Sequence, residues 1–298
     1  MTALIGIDWG TTAFRAWRMG PGGAVLDHVA DGPGILAAAA VPGGFAGALR
    51  DRIGGWMDGA PVIASGMIAS RNGWVETPYL PLPLDARALA ENLALHEGVH
   101  FVTGAVSDPD GPAPDVMRGE ETEIIGHLAG GGGDGLFVLP GTHSKWAWTR
   151  GGALTAFRTV MTGEVFAALR DHTILGRLIR PGPGRPEPGG DDAFRRGVRA
   201  GQQDGALLGR IFSARTLALM DRLPPDRIAD YLSGLLIGDE VAQGLRGADG
   251  PVTIIGRGDL AARYRMALDQ MGRAAAVAPP GMARRGLWEI ARMGGLVA

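Results

Sequence analysis

Two short stretches of the chain carry the residue types that grip phosphate. The first runs Ile5-Gly6-Ile7-Asp8-Trp9-Gly10-Thr11-Thr12-Ala13-Phe14-Arg15-Ala16-Trp17, and the second Phe137-Val138-Leu139-Pro140-Gly141-Thr142-His143-Ser144-Lys145-Trp146-Ala147-Trp148. Asp8, at the end of an apolar strand, is placed to hold Mg²⁺ directly or through water. Gly10 lets backbone N–H groups approach phosphate oxygens, Thr11 and Thr12 add hydroxyl donors, and Arg15 supplies positive charge. Gly141, Thr142, His143, Ser144 and Lys145 repeat that chemistry. Aligned on Gly10 and Gly141, the Gly-Thr pair coincides and so does Ala-Trp six and seven residues later; after a two-residue slip Gly22-Gly23-Ala24 meets Gly151-Gly152-Ala153.

Each stretch reads as an apolar strand, a tight Gly-Thr turn, a returning strand, a Gly-Gly turn and a third strand. A spacing of about 130 residues is far longer than a solenoid repeat of ~20–50 residues. It predicts two related domains, each offering one phosphate-binding hairpin to a shared cleft. The only lysine of the chain, Lys145, stands in the second hairpin against 28 arginines. Because an ammonium and a guanidinium are not interchangeable beside a phosphate or carboxylate, Lys145 is a candidate functional residue. No glycine-rich Walker pattern precedes it, which disfavours a P-loop fold.

Other motifs carry weaker signals. His96-Glu97-Gly98-Val99-His100 matches the zinc-protease pattern, but that chemistry needs both imidazoles on one continuous helix. Gly98 interrupts and Val99-His100-Phe101-Val102 reads as a strand, so no metal site is expected there. Arg118-Gly119-Glu120-Glu121 heads a helix in which Gly119 costs about 1 kcal/mol relative to Ala; either the backbone approaches a ligand there or the acidic turn serves the helix dipole. Thr162-Gly163-Glu164 is either a helix cap or a phosphate-facing helix start. Gly256-Arg257-Gly258-Asp259 follows a buried apolar run and resembles a nucleotide-facing turn.

The elements that must position these residues follow from the apolar spacing. Residues 4–8, 13–19 and 24–30 are expected as three antiparallel strands, Pro42 to Met57 as an amphipathic helix, and 61–64 as a short buried strand. The segment from Ser65 to Leu84 is expected as a long irregular loop, of the kind that is often functional. Asp85 should cap a helix to about Leu95, Val99–Thr103 should form a strand, and Asp115 should cap a helix to Leu128. Gly130-Gly131-Gly132-Gly133 is the cleanest linker, so domains are expected at 1–130 and 131–298. The second begins with strands at 136–140, 145–149 and 153–158, then a helix from Gly163, a solvated loop over 181–190, helical stretches over 191–218 and 225–245, a strand at 252–255, a helix, a strand near 274–278 and a C-terminal helix.

The chain has 298 residues, a net charge of -2 and no cysteine. The size suits two domains, each able to bury a core. The charge gives no footprint for nucleic acid, and the absence of Cys excludes disulfides, thiolate catalysis and Cys-bound zinc while fitting a reducing cytoplasm. No signal peptide or membrane span is read in the sequence.

With these residues assembled, the chain resembles the actin-like ATPase superfamily, which includes sugar kinases and chaperone ATPases. Five segments look specifically like the 2-dehydro-3-deoxygalactonokinase family. They are Ile7–Thr12; Ser65-Gly66-Met67-Ile68 with Trp74; Met117–Thr122; Leu139–Trp146; and Met161-Thr162-Gly163-Glu164. The resemblance implies an α/β fold with two similarly built actin-like (ribonuclease H-like) ATPase domains flanking a nucleotide cleft. It implies transfer of the γ-phosphoryl group of ATP to the C6 hydroxyl of 2-dehydro-3-deoxy-D-galactonate, in galactonate catabolism, with ATP and Mg²⁺ as cofactors and a homodimer as a candidate assembly.

On that reading Asp8 holds the metal and, with Glu120 and Lys145, forms the catalytic set. Gly10, Thr11, Thr12, Arg15, Gly141, Thr142, His143, Ser144, Gly163, Gly256 and Gly258 bind ATP or its phosphates. Ser65, Met67, Arg71, Trp74 and Arg118 bind the sugar acid. Two departures stand out: Glu123 replaces an expected Gln, and Thr142 stands where many related kinases carry a catalytic Asp. The alternatives are a kinase of another sugar acid or polyol in the same fold, and a chaperone-like or filament-forming actin-like ATPase.

Overall fold

The computed structural model describes residues 1–179 and 192–298; the loop expected over 181–190 lies outside them. The chain divides into two compact units, the first made of Met1–Asp134, Ala147–Phe157 and Pro279–Ala298, the second of Gly135–Trp146 and Arg158–Ala278. The division after Asp134 falls close to the glycine linker. The boundary at 130 nevertheless assigned Ala147–Phe157 and the C-terminal helix to the second domain, whereas their contacts place both in the first unit.

The first unit begins with β1 (Leu4–Trp9), β2 (Phe14–Met19) and β3 (Val25–Val29), followed by α1 (Ile35–Ala38), α2 (Gly44–Ile53) and β4 (Val62–Ser65). Next come β5 (Tyr79–Pro81), α3 (Ala86–Glu91), β6 (Ala94–His96), β7 (Val99–Phe101), β8 (Gly104–Ser107), β9 (Asp115–Met117) and α4 (Glu120–Ala129). Asp85 caps α3 as expected, its carboxylate accepting the Ala88 N–H at 2.8 Å. The expected helix from Asp115 is instead a strand followed by a helix. Asp115–Met117 pairs antiparallel with β8, and Gly119 at φ 110° makes the corner that only glycine takes without strain. His96 and His100 lie on the two strands of the β6–β7 hairpin, paired with Val99 and Leu95, as the Gly98 interruption predicted.

The main sheet runs β3-β2-β1-β4-β7-β6, with β1, β4 and β7 parallel. The period of two along β1 sorts its side chains. Ile5, Ile7 and Trp9 enter a core with Phe14, Ile35, Leu49 and Phe101, while Gly6 and Asp8 point to the other face.

A second sheet runs in the order β12-β11-β10-β13-β14, with β10, β13 and β14 lying inside the second unit. Its strands are β10 (Leu136–Leu139), β11 (Ser144–Arg150), β12 (Ala153–Val160), β13 (Val252–Ile254) and β14 (Ala275–Val277), with β10, β13 and β14 parallel. The helices are α5 (Thr162–His172), α6 (Asp192–Gly201), α7 (Leu207–Ile211), α8 (Ser213–Leu219), α9 (Ile228–Gly244) and α10 (Gly258–Gln270). The single helical stretch expected over 191–218 is thus broken into three. The duplication is visible in the strand order: the centre of both sheets reads third, second, first, fourth strand. It extends to backbone conformation, because Gly22 and Gly23 have φ of 68° and 77°, and Gly151 and Gly152 have 63° and 78°.

The chain returns to the first unit with α11 (Met282–Met293). Leu287, Ile290 and Ala291 are fully buried. A Cβ on Gly126 of α4 would lie 1.9 Å from Met282 O, and one on Gly286 of α11 1.9 Å from Thr122 O, so the two helices meet backbone to backbone. No helix among the described residues is long and apolar enough to cross a membrane.

Candidate active site

In the first unit the chemistry gathers at the carboxyl ends of the parallel strands β1 and β4, the edge where α/β sheets bind ligands. Asp8 and Arg15 are cross-strand partners, and their side chains form an ion pair in which Arg15 Nη2 donates to Asp8 Oδ2. Glu123, one turn into α4, stands 3.7 Å from the same guanidinium nitrogen. The turn between the strands is closed by Gly10 N–H donating to Ala13 O at 2.9 Å, leaving Thr11 and Thr12 exposed. Two glycines bring the neighbouring elements in. A Cβ on Gly66, after β4, would lie 2.8 Å from Trp9 O and 3.4 Å from Asp8 Oδ1; one on Gly119 would lie 3.2 Å from Gly66 Cα.

The first turn of α4 folds its carboxylates back on the backbone before it. Glu120 Oε2 accepts the Arg118 N–H at 3.1 Å, and the two Glu121 oxygens accept the Gly119 N–H at 2.9 and 2.8 Å. Glu121 also accepts from Thr122 Oγ1 and is 1 % exposed, so it is consumed in holding the corner, whereas Glu120 is half-buried. Glu123 was noted in the sequence only as a departure from an expected Gln; its approach to Arg15 brings it into the site.

Asp8 and Glu123 share one guanidinium, and the Glu120 and Glu121 charges add to the field at Glu123, so the site carries surplus negative charge. Burial pushes the Asp8 carboxyl upward against the pull of Arg15. Burial, then the Glu120 charge, raises Glu121 to about 7; burial, then the Asp8 charge, raises Glu123 to about 8 against the pull of Arg15. A carboxyl group raised in the folded state binds its proton more tightly there than in the unfolded chain. Its contribution to stability is therefore lost as pH climbs from its unfolded value near 4.5 through its folded value. Glu123→Gln is expected to melt above the wild type at about pH 8.5, with the gap closing as the pH is lowered toward 4.5. Melting curves across that range check it, and a gap independent of pH would show an ordinary carboxyl at position 123.

The loop assigned to the sugar acid is more ordered than the sequence suggested. Trp74 N–H donates to Ile68 O at 2.8 Å, and the Trp74 ring meets His96 and Phe101 edge-on. Met67 opens a short helical turn, and Ser65 is 1 % exposed with its hydroxyl unpartnered. Arg118 is 7 % exposed. Its guanidinium donates to Thr77 Oγ1 and, at 2.9 Å, to Thr77 O, and lies 4.3 Å from the centre of the Tyr79 ring. Arg118 thereby clamps the loop. Arg71 is the exposed cation of the segment, 84 % accessible and 3.2 Å from Glu76, an ion pair of small energetic worth.

The second unit repeats the first hairpin's construction. Thr142 and His143 are exposed at the turn while Ser144, Lys145 and Trp146 are buried. A Cβ on Gly163 would lie 2.4 Å from Gly141 O, just as one on Gly34 would lie 2.3 Å from Thr11 O. In both units the helix after the third strand starts against the Gly-Thr turn: Ile35 N–H donates to Gly10 O at 3.1 Å and Glu164 N–H to Thr142 O at 3.0 Å. Gly34 is the counterpart of Gly163 that sequence reading passed over. Glu164 reaches His143 Nε2. Gly256, following β13, faces Pro140 Cδ at a would-be Cβ distance of 3.3 Å, and Gly258 begins α10. Lys145 Nζ donates to Thr159 Oγ1 of β12 at 2.6 Å and the side chain is 6 % exposed, so its charge is embedded in the hairpin.

Residues 8–290 match the family described as 2-keto-3-deoxy-galactonokinase. The 2-dehydro-3-deoxygalactonokinase of Escherichia coli (strain K12) is 34% identical over 280 residues, covering 91% of each chain. A crystal structure from Sinorhizobium meliloti, provisionally named a 2-dehydro-3-deoxygalactonokinase, superposes with a TM-score of 0.89 at 33% identity, covering 97% of this chain and 98% of that one. The activator of the 2-hydroxyisocaproyl-CoA dehydratase from Clostridium difficile, solved with bound ADPNP, shares the fold at a TM-score of 0.52 and 11% identity, covering 99% and 96%.

Proposed function

Since the chain belongs to the 2-keto-3-deoxy-galactonokinase family, we propose that it transfers the γ-phosphoryl group of ATP to the C6 hydroxyl of 2-dehydro-3-deoxy-D-galactonate. It is a sugar-acid kinase of actin-like fold. The observation that carries the residue-level reading is the duplicated hairpin, in which a Gly-Thr turn is exposed and backed by a helix start in both units. Thr11, Thr12 and Gly10 of the first turn, and Gly141, Thr142, His143 and Ser144 of the second, would hold phosphate with backbone and hydroxyl donors. Gly163, Gly256 and Gly258 offer close backbone approach to the rest of the nucleotide. Arg15 and the buried Lys145 supply positive charge.

The donor chemistry suits Mg²⁺. Asp8 offers carboxylate oxygens in a site with surplus negative charge, to which Glu123 adds. Mg²⁺ is commonly held through one or two carboxylates plus substrate phosphates and water. Asp8 would hold it, and when bound it neutralises charge on the transferring phosphoryl group. Glu120 would accept the proton of the attacking hydroxyl. Ser65, Met67, Trp74, Arg71 and Arg118 would shape the sugar-acid pocket, with Arg118 acting through the Thr77–Tyr79 segment it clamps. A cytoplasmic setting accompanies the use of ATP.

A coupled assay of ADP release, with and without 2-dehydro-3-deoxy-D-galactonate, tests the reading. Release that depends on this substrate supports it. Dependence on a different sugar acid or polyol would reassign the substrate, and release indifferent to any sugar would point to a non-metabolic actin-like ATPase.

A further inference from the structure

A buried carboxylate lies behind the second hairpin, outside every role assigned above. Glu240, on α9, is 1 % exposed. Its Oε1 accepts the Trp146 indole N–H at 2.8 Å, and its Oε2 accepts the Tyr264 hydroxyl at 2.5 Å. Thr162, the first residue of α5, also hydrogen-bonds to it. Tyr264 Oη in turn lies 2.9 Å from Ser144 Oγ, and Ser144 Oγ accepts the Gly141 N–H at 3.5 Å. Ser144 and Trp146 alternate with Lys145 along β11, so they share the face of the strand that meets this network.

A carboxylate can only accept hydrogen bonds. With its one proton given to Glu240, Tyr264 is left with lone pairs, and the Ser144 hydroxyl donates into the Tyr264–Glu240 pair, which offers it two acceptors. The Ser144 lone pairs are then free to receive Gly141 N–H. Burial pushes the Glu240 carboxyl upward against these donors; in its ionised form it draws Trp146, Tyr264, Ser144 and Thr162 toward one point and so ties the Gly141–Ser144 turn to the start of α5. Burying that carboxylate is costly unless it is hydrogen-bonded, and its several donors offset the cost.

We propose that Glu240, acting through Tyr264, is a positioning residue for nucleotide binding: it holds the Gly141–Ser144 turn and the α5 start in the one arrangement that leaves the Thr142 and His143 end of the turn open to phosphate. This rests on the reading of the second hairpin as a phosphate holder.

Steady-state kinetics of Tyr264→Phe and Glu240→Gln test it, with ATP and 2-dehydro-3-deoxy-D-galactonate varied separately. Tyr264→Phe keeps the ring and removes only the relay oxygen, so it serves even if Glu240→Gln folds poorly. Both variants are expected to raise KM for ATP about tenfold, the equivalent of one hydrogen bond, with KM for the sugar acid within about twofold. Ile228→Val, a fully buried position at the far end of α9, should lower the melting temperature without moving either KM. Wild-type KM for ATP in Tyr264→Phe and in folded Glu240→Gln overturns the proposal. Thr142→Val separates the two readings. If it raises KM for ATP while the network variants do not, positioning alone is wrong; if it too is silent, the hairpin reading falls with it.

Discussion

Asp8→Asn is expected to lower kcat by about two to three orders of magnitude while moving the melting temperature by no more than a few degrees. The side chain sits at the end of β1 beside Gly66 and is paired with Arg15. Asn is isosteric and keeps a hydrogen-bond acceptor toward Arg15, so packing and the β1–β2 turn survive. What is lost is a full negative charge at the position proposed to hold the metal. Glu123 remains near Arg15 and limits the loss of stability, because a neutral residue 8 relieves some of the crowding that raises the Glu123 pKa. Turnover at varied Mg²⁺, together with melting curves, checks both halves. Near wild-type kcat in Asp8→Asn would remove the first hairpin from the chemistry.

The second large effect separates two adjacent carboxylates. Glu120→Gln is expected to lower kcat by ~10²–10⁴-fold, the usual worth of general-base assistance, with KM for ATP nearly unchanged. Gln retains an oxygen for the Arg118 N–H that Glu120 accepts, so the helix start keeps its shape while the proton acceptor is lost. Glu121→Gln should behave differently. Both Glu121 oxygens are engaged by the Gly119 N–H and the side chain is buried; an amide leaves one of those contacts as a clash of donors. It is expected to cost about 1–3 kcal/mol of stability with a smaller effect on kcat of the folded enzyme. A crippled Glu121→Gln beside an active Glu120→Gln would reverse the assignment. If both remain active, the proton leaves late, in keeping with a loose phosphoryl-transfer transition state.

What could be read from the sequence was what is encoded within a few residues. The two hairpins were legible because Gly10-Thr11 and Gly141-Thr142 announce a tight turn between apolar strands, and the paired glycines at 22–23 and 151–152 repeat it. Asp85 was legible as a cap for the same reason. Asp115 has the same cap chemistry, yet the β8–β9 ladder outweighs local helix preference there, and the helix waits until the chain has turned at Gly119. Glu123 could be seen in the sequence only as a mismatch, since its approach to Asp8 and Arg15 needs β1, β2 and α4 to be assembled first. Arg118 was singled out as a cation for the sugar acid; its capture by Thr77 and Tyr79, about 40 residues earlier, has no local signal. Glu240 and Tyr264 were invisible for the same reason, as each joins the hairpin from roughly a hundred residues away.

The membership of α11 in the first unit has a consequence for biosynthesis. The face of β1 that carries Gly6 and Asp8 is covered by Leu287, with Gly6 leaving room for its methyl groups, and α4 is backed by the same helix. The rest of that unit, up to Phe157, leaves the ribosome long before Met282 does. At typical translation rates the second unit's residues take on the order of ten seconds or more to follow, and for that interval an apolar surface meant for α11 has no partner. The first unit to be made is therefore the last to be finished. Removing residues from Pro279 onward would damage the N-terminal half of the chain, and a nascent chain stalled before α11 emerges would expose the Asp8 unit, rather than the unit most recently synthesised, to proteolysis and chaperones.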